Sequence, residues 1–146
     1  MRARWRMAST LSSSFWGAFS DKSSRGTMAA AATMAGVLGV VVVSILNLAP
    51  GLTNNSAFYA VILFTLGIAH SGVRIGRKTH VVDLAGGDRK AEYVALSNTI
   101  IGVLLLVMGA LTSAVLGLGL EVGIVVLSVL AIMGAIIAIT MEHVQG

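Results

Sequence analysis

Long uninterrupted hydrophobic runs dominate the pattern of polar and apolar positions along this chain. Residues 26–73 contain no Lys, Arg, Asp or Glu, and only the turn-forming cluster 50–55 interrupts their apolar character. Two further charge-free runs, 93–120 and 122–141, follow with Glu121 alone between them. About 20 residues of helix cross the roughly 30 Å hydrocarbon core of a bilayer. The pattern therefore predicts a protein that lies in a membrane.

Turn residues divide these runs into four predicted transmembrane helices, at about 27–49, 57–72, 94–116 and 122–141. Pro50 ends the first helix because its ring blocks a helical hydrogen bond, and Asn54 and Asn55 suit the turn that follows. The runs lack the strand-like alternation of a membrane barrel, so the predicted fold class is an all-α, multi-pass membrane helix bundle. The basic stretch 73–93 is predicted to be a loop. A four-helix domain, 27–146, thus follows an amino-terminal segment, 1–26.

Composition supports a lipid bilayer as the environment of these helices. With 56% hydrophobic residues, 11% charged residues and a mean hydropathy of +0.91, the chain has too little polar surface to cover a soluble domain. It contains no Cys, which excludes disulfides, thiolate metal sites and cysteine nucleophiles. No residue pattern indicates a catalytic site, a metal site or a cofactor, and we do not expect an enzyme.

The basic residues fall into two groups, which predict the orientation of the chain. One group precedes the first helix and the other lies in the stretch 73–93; they are Arg2, Arg4, Arg6, Lys22, Arg25 and Arg74, Arg77, Lys78, Arg89, Lys90. Because basic loops stay on the cytoplasmic side, both termini and the stretch 73–93 are predicted to be cytoplasmic, in the cell membrane. The net charge of +4 is then explained by topology and contact with anionic lipid, and nucleic acid is not an expected partner.

The amino-terminal segment is open to several interpretations. Residues 1–6 are basic and residues 11–19 are moderately apolar, which is compatible with a secretory signal or a mitochondrial transit peptide. The favoured interpretation is that 11–19 is the end of another membrane helix. Trp5 and Trp16, near the ends of this segment, would then be anchors at the membrane interface.

A short motif lies immediately before the first predicted transmembrane helix. Residues 17–26 read Gly-Ala-Phe-Ser-Asp-Lys-Ser-Ser-Arg-Gly. This segment resembles the cytoplasmic signature loop of the major facilitator superfamily, and the matching residues are Gly17, Asp21, Lys22 and Arg25. Ser24 stands where the family usually has Gly, and Gly26 stands where a second basic residue is common. The order of helices and loops after the motif is also similar to one half of such a transporter.

The resemblance implies a fold and a function. It implies part of a secondary active transporter, which moves a small solute by alternating access together with further helices. The degenerate motif favours the carboxyl-terminal part, helices nine to twelve, and the amino-terminal half is the alternative. Asp21, Lys22 and Arg25 would then form a latch at the cytoplasmic gate. For Lys22 and Arg25 an ordinary charged helix boundary remains the alternative. The main functional alternative is a self-contained four-helix membrane scaffold or accessory subunit that oligomerises.

A second basic cluster lies between the second and third predicted helices. The segment around Arg74, Arg77 and Lys78 resembles a phosphate-binding loop only superficially, because Arg77 separates Gly76 from Lys78 and a membrane helix precedes it. These side chains are predicted to reach the headgroups, with Asp83 and other nearby carboxylates available for ion pairs at a gate.

Few polar side chains lie inside the predicted spans. The spans hold no Asp or Glu near their middle, so any coupling carboxylate would lie on other helices. His70 is a candidate proton relay, although a histidine at the interface is the more common use. Asn98 and Thr99 are expected to contact another helix or a substrate, because burial against hydrocarbon without a partner is costly. Small residues four positions apart also predict tight packing of the last helix, as at Ala131 and Ala135.

Overall fold

The computed structural model describes residues 15–142, and within them the predicted all-α fold class is confirmed. Helix α1 covers residues 15–22 of the described chain. It is followed by the four long helices α2 (Ser24–Leu48), α3 (Ser56–Ala85), α4 (Lys90–Leu116) and α5 (Leu120–Thr140). Short 3-10 turns, Pro50–Asn54 and Gly87–Arg89, lie between α2 and α3 and between α3 and α4. The described residues contain no strand. Trp5 and the basic residues before it lie outside the described residues.

All four long helices are long enough and apolar enough to cross a membrane. The chain is therefore a multi-pass membrane protein by the length and composition of its helices. Pro50 and Asn55 act as predicted at the first turn. Helix α2 ends just before Pro50. The side chain of Asn55 caps α3 by accepting a hydrogen bond from the Ala57 amide at 2.9 Å. The fourth helix also begins and ends within two residues of its predicted bounds.

The predicted loop 73–93 is wrong, because α3 continues as helix through most of it. At 30 residues, α3 spans about 45 Å, well beyond the hydrocarbon core. Its basic residues are good helix formers, so they mark where the helix leaves the hydrocarbon without ending the helix. The actual connection is short. It begins at Gly86 and Gly87, whose φ angles of 49° and 54° favour glycine.

The motif segment 17–26 is also helical, which corrects its description as a loop. Helix α1 ends at residue 22, and α2 begins at Ser24, three residues before the predicted start. Ser23 alone separates them and caps α2, since its hydroxyl accepts a hydrogen bond from the Gly26 amide at 3.1 Å. The motif is therefore a sharp junction between two helices.

Helix α2 packs closely against both α3 and α5 and runs antiparallel to each of them. Against α5, a Cβ added to Gly36 would lie 2.6 Å from Ile132 Cγ1, and one added to Gly39 would collide with the Ser128 hydroxyl. Glycine at both positions lets the two helices approach closely, which confirms the tight packing predicted for the last helix. Helix α4 contacts α3 and α5 only sparsely, and none of its residues is buried within the described chain.

Candidate functional site at the basic end of the bundle

A buried polar contact joins the start of α2 to α3. The Ser24 hydroxyl lies 3.2 Å from His80 Nδ1, and the two side chains are only 5% and 3% exposed. Thr27, one turn further along α2, is fully buried and donates its hydroxyl to the Ser23 carbonyl at 3.0 Å. A buried polar group is stable only with a partner, so the contact between Ser24 and His80 fixes the register between α2 and α3.

Two glycines of α3 allow this close approach. A Cβ added to Gly76 would lie 2.8 Å from Met28 Cγ and 2.9 Å from the Ser24 carbonyl oxygen. A Cβ added to Gly72 would lie 2.7 Å from both the Ala31 Cβ and the ring of Trp16. Both glycines are buried, so α3 presents no side chain of its own at these positions and α2 can approach its backbone closely.

Trp16 fastens α1 to the same place, so its prediction as an interfacial anchor is wrong. Its side chain is 5% exposed and its indole Nε1 donates a hydrogen bond of 3.0 Å to the Ile68 carbonyl. The ring lies against Gly72, and the hydrogen bond to Ile68 satisfies the single polar atom of its side chain inside the protein. Helix α1 is therefore packed onto α3.

Arg25 connects α2 to the far end of α5. This half-buried side chain donates a hydrogen bond from Nη1 to the Met141 carbonyl at 3.2 Å. The last carbonyl groups of a helix have no partner within the helix and carry partial negative charge. A guanidinium is well suited to this position because it is a permanent cation with several donors. Arg25 therefore caps the end of α5.

The other motif residues are placed less centrally. Asp21 and Lys22 are exposed at the end of α1, and Gly17 is half-buried on the same helix. A Cβ added to Gly17 would meet no heavy atom of the described chain within 4 Å, so packing does not require glycine there. Arg25, by contrast, contacts another long helix, at the end of α5.

The second basic cluster lies on α3 beside α4. Arg74 and Lys78 are exposed, whereas Arg77 and Asp83 are half-buried. Arg77 Nη1 is shielded from solvent and has no hydrogen-bond partner among the described residues. Arg77 and Lys78 line one wall of a narrow crevice between α3 and α4, and the polar residues of the other wall include Asn98.

The polar residues predicted within the spans lie apart from the buried contact. His70 is exposed on α3, and Asn98 and Thr99 are exposed on α4, where Thr99 donates its hydroxyl to the Ala95 carbonyl at 3.1 Å. The histidine that is buried is His80, which sequence reasoning missed because it lay within the predicted loop. The four-residue spacing of Gly72, Gly76 and His80 was the signal that could have identified it.

Helix α4 has two chemically different exposed flanks, as its helical periodicity shows. One flank is wholly apolar; its members are Leu96, Ile100, Val103, Val107 and Ala114. The opposite flank contains polar and small residues; its members are Asn98, Gly102, Leu105, Gly109 and Ser113. A Cβ added to Gly102 or Gly109 would meet no heavy atom of the described chain within 4 Å. This small-residue flank has room for a closely packed neighbour.

The fold and this site define an all-α multi-pass membrane protein with a polar helix junction at its basic end. Among residues 15–142, no three His, Asp or Glu side chains are grouped so that they could hold a metal ion. No family of known proteins, no curated protein sequence and no solved structure matches the chain.

Proposed function

We propose that this chain forms part of a secondary active transporter of the major facilitator type, which moves a small solute by alternating access. The observation that carries the proposal is the position of the motif 17–26. This segment, which resembles the family's signature, lies where α1, α2, α3 and α5 converge. Arg25 bonds the end of α5 from this junction, and Ser24 bonds His80 of α3.

A latch is the role that we assign to the contact between Arg25 and α5. This contact is a hydrogen bond at a helix end, which forms or breaks when the helices tilt by small amounts. Arg25 is half-buried, so water can replace the Met141 carbonyl as its partner when the helix ends separate. Asp21, exposed beside it, is placed to pair with a group on another helix of such a transporter.

The exposed small-residue flank of α4 supports the presence of further helices. An exposed Asn98 facing hydrocarbon would cost several kcal/mol without a partner, whereas a neighbouring helix or an aqueous cavity satisfies its amide. The opposite, wholly apolar flank suits lipid. Transport by this family requires a cavity between two helix bundles, so we expect the small-residue flank to face that cavity.

We also propose that the basic end of the bundle lies in the cytoplasm of a cell membrane. The basic residues of α3 lie at the same end of the four spans as Lys22, which ends α1, and Arg25, near the start of α2. This follows because α2 and α3 run antiparallel. Retention of basic segments on the cytoplasmic side supports this orientation.

A four-helix scaffold that oligomerises is the second candidate, and it is favoured by the same flank of α4. Gly102 and Gly109 leave open space beside the helix, and glycine surfaces of this kind allow two membrane helices to associate closely. A second copy of the chain would then cover Asn98 instead of a cavity.

Single cysteines distinguish the two candidates, because the chain has no Cys of its own. We would compare Leu105→Cys, on the small-residue flank, with Val107→Cys, at a similar depth on the apolar flank; the native side chains are 67% and 51% exposed. Each variant would be expressed in the membranes of the organism that carries the gene. The readout is labelling by a hydrophilic, membrane-impermeant maleimide, followed by oxidation to detect crosslinked copies.

The transporter proposal predicts that the cysteine at position 105 is labelled and the one at position 107 is not. Crosslinking between copies through position 105, without labelling, would instead establish the scaffold. Equal labelling at both positions, or neither labelling nor crosslinking at position 105, would contradict an aqueous cavity along α4.

A further inference from the structure

The crevice between α3 and α4 has one cationic wall and one wall with neutral polar groups. Arg77 and Lys78 of α3 provide two cations, and Ser97 and Asn98 of α4 provide a hydroxyl and an amide. Val81 completes the α3 wall. All the charged lining groups are positive, so the crevice is suited to an anion.

Arg77, which lines this crevice, carries a donor without a hydrogen-bond partner among the described residues. Its Nη1 is shielded from solvent, yet it has no hydrogen-bond partner in the described part of the chain. A guanidinium has five N–H donors and no acceptor, and a shielded donor without a partner is costly. Asp83, Asp88 and Glu92, the acidic residues nearest in sequence, do not line the crevice. An anionic molecule bound in the crevice would supply such an acceptor.

The dimensions of the crevice limit what this acceptor can be. The space between its walls is about 10 Å³, which is room for one oxygen atom of a larger group. A phosphate group suits this geometry, since one oxygen can enter beside Arg77 while the others remain at the mouth for Lys78. Charge-assisted hydrogen bonds of this kind are short and strong.

An apolar groove beside the crevice indicates what kind of molecule carries this phosphate group. This shallow, open groove has a volume of about 250 Å³ between α3 and α4 and shares Val81 and Ser97 with the crevice. Its other walls are mainly hydrocarbon, from residues such as Leu84, Leu96 and Ile100. We propose that the crevice binds the phosphate of an anionic phospholipid, whose acyl chain lies along this groove. Basic pockets between membrane helices are suited to such headgroups. The site does not depend on the proposed transport function.

The test compares Arg77→Gln with Arg74→Gln in the full chain. Both variants lose one positive charge from α3, but only Arg77 lines the crevice, since Arg74 is exposed and lies outside its lining. Binding of phosphatidylglycerol to the purified protein would be titrated by native mass spectrometry, with phosphatidylcholine as the reference lipid. We expect Arg77→Gln to weaken phosphatidylglycerol binding about tenfold more than Arg74→Gln, as for loss of a charge-assisted hydrogen bond.

Competition with millimolar inorganic phosphate distinguishes the source of the phosphate. Binding that resists this competition supports a lipid headgroup held together with its acyl chain. Complete displacement by inorganic phosphate would overturn the lipid assignment and leave a site for free phosphate. Equal effects of the two arginine variants would overturn the site itself, because general surface attraction would then explain the binding. If Arg77→Gln does not fold, Lys78→Gln and Lys90→Gln provide the same comparison. Both lysines are exposed, but only Lys78 lines the crevice.

Discussion

The close approach of α2 and α3 can be tested by adding a single methyl group at Gly76. In Gly76→Ala the new Cβ would lie 2.9 Å from the Ser24 carbonyl oxygen and 3.1 Å from the Met28 amide nitrogen. Both atoms belong to the α2 backbone, so relief requires a shift of the whole helix. Overpacking of this kind costs about 1–3 kcal/mol.

Gly67→Ala is the matched control on the same helix. A Cβ added to Gly67 would meet no heavy atom of the described chain within 4 Å. Alanine is favoured over glycine inside a helix by about 1 kcal/mol, and this gain is common to both variants. The difference between them therefore isolates the clash, and we expect Gly76→Ala to be less stable than Gly67→Ala by about 1–3 kcal/mol.

Unfolding in mixed detergent micelles with increasing dodecyl sulfate would measure this difference. Trp16 reports the same contact, because its ring lies against Gly72, one turn from Gly76. The background variant Trp5→Phe leaves Trp16 as the single tryptophan, since the chain has two. Equal unfolding free energies for the two glycine variants, together with unchanged Trp16 fluorescence, would refute close packing of α2 on α3.

Three further substitutions test other contacts by the same unfolding measurement. Ser24→Ala leaves His80 Nδ1 without its buried partner, and we expect a loss of about 1–3 kcal/mol. Trp16→Phe removes the hydrogen bond to the Ile68 carbonyl and should cost at least about 1 kcal/mol. Gly119→Ala should cost about 1–3 kcal/mol, because the φ of 132° and ψ of 148° lie in a region that glycine alone occupies readily.

Matched controls exist for two of these substitutions. Ser44→Ala removes an exposed hydroxyl that bonds only its own helix, at Val40, and should change stability by less than about 0.5 kcal/mol. Gly51→Ala adds a methyl group in open space at a turn where φ is not positive. If Ser24→Ala loses no more unfolding free energy than Ser44→Ala, the buried contact with His80 is contradicted. If Gly119→Ala loses no more than Gly51→Ala, the requirement for glycine at position 119 is contradicted.

The fold class was predictable because its determinants are local in the sequence. Charge-free runs identify the spans, and Pro50 and Asn55 act on their own neighbours, so the first turn falls where it was expected. The end of α3 was misplaced because basic residues were taken to end a helix, whereas they end only its hydrophobic part. The helical continuation to Ala85 needs no apolar residues, since Arg, Lys and His are all compatible with a helix.

The polar junction was harder to predict from the sequence because its contacts join residues far apart in the chain. Ser24 and His80 carry no individual signal, and their pairing depends on two glycines of α3 that bring the backbones together. The motif 17–26 does lie at the polar junction. It does not distinguish Asp21, which is exposed, from Arg25, which caps α5. Sequence shows which residues a motif contains, while packing determines which of them meet a partner.

The uneven distribution of buried polar groups connects this packing with the proposed transport function. Ser20, Ser24, Thr27 and His80 are all buried near the junction of α1 with α2, and away from it Ser128 alone among the described polar residues is buried. The contact between Ser24 and His80 specifies one arrangement, because sliding of the helices would leave both groups without a partner. Helix α4 has no buried residue to hold it in the same way. Alternating access requires some helices to keep their arrangement while others move against them. The junction of α1, α2 and α3 suits the first role, and the sparsely packed α4 suits the second.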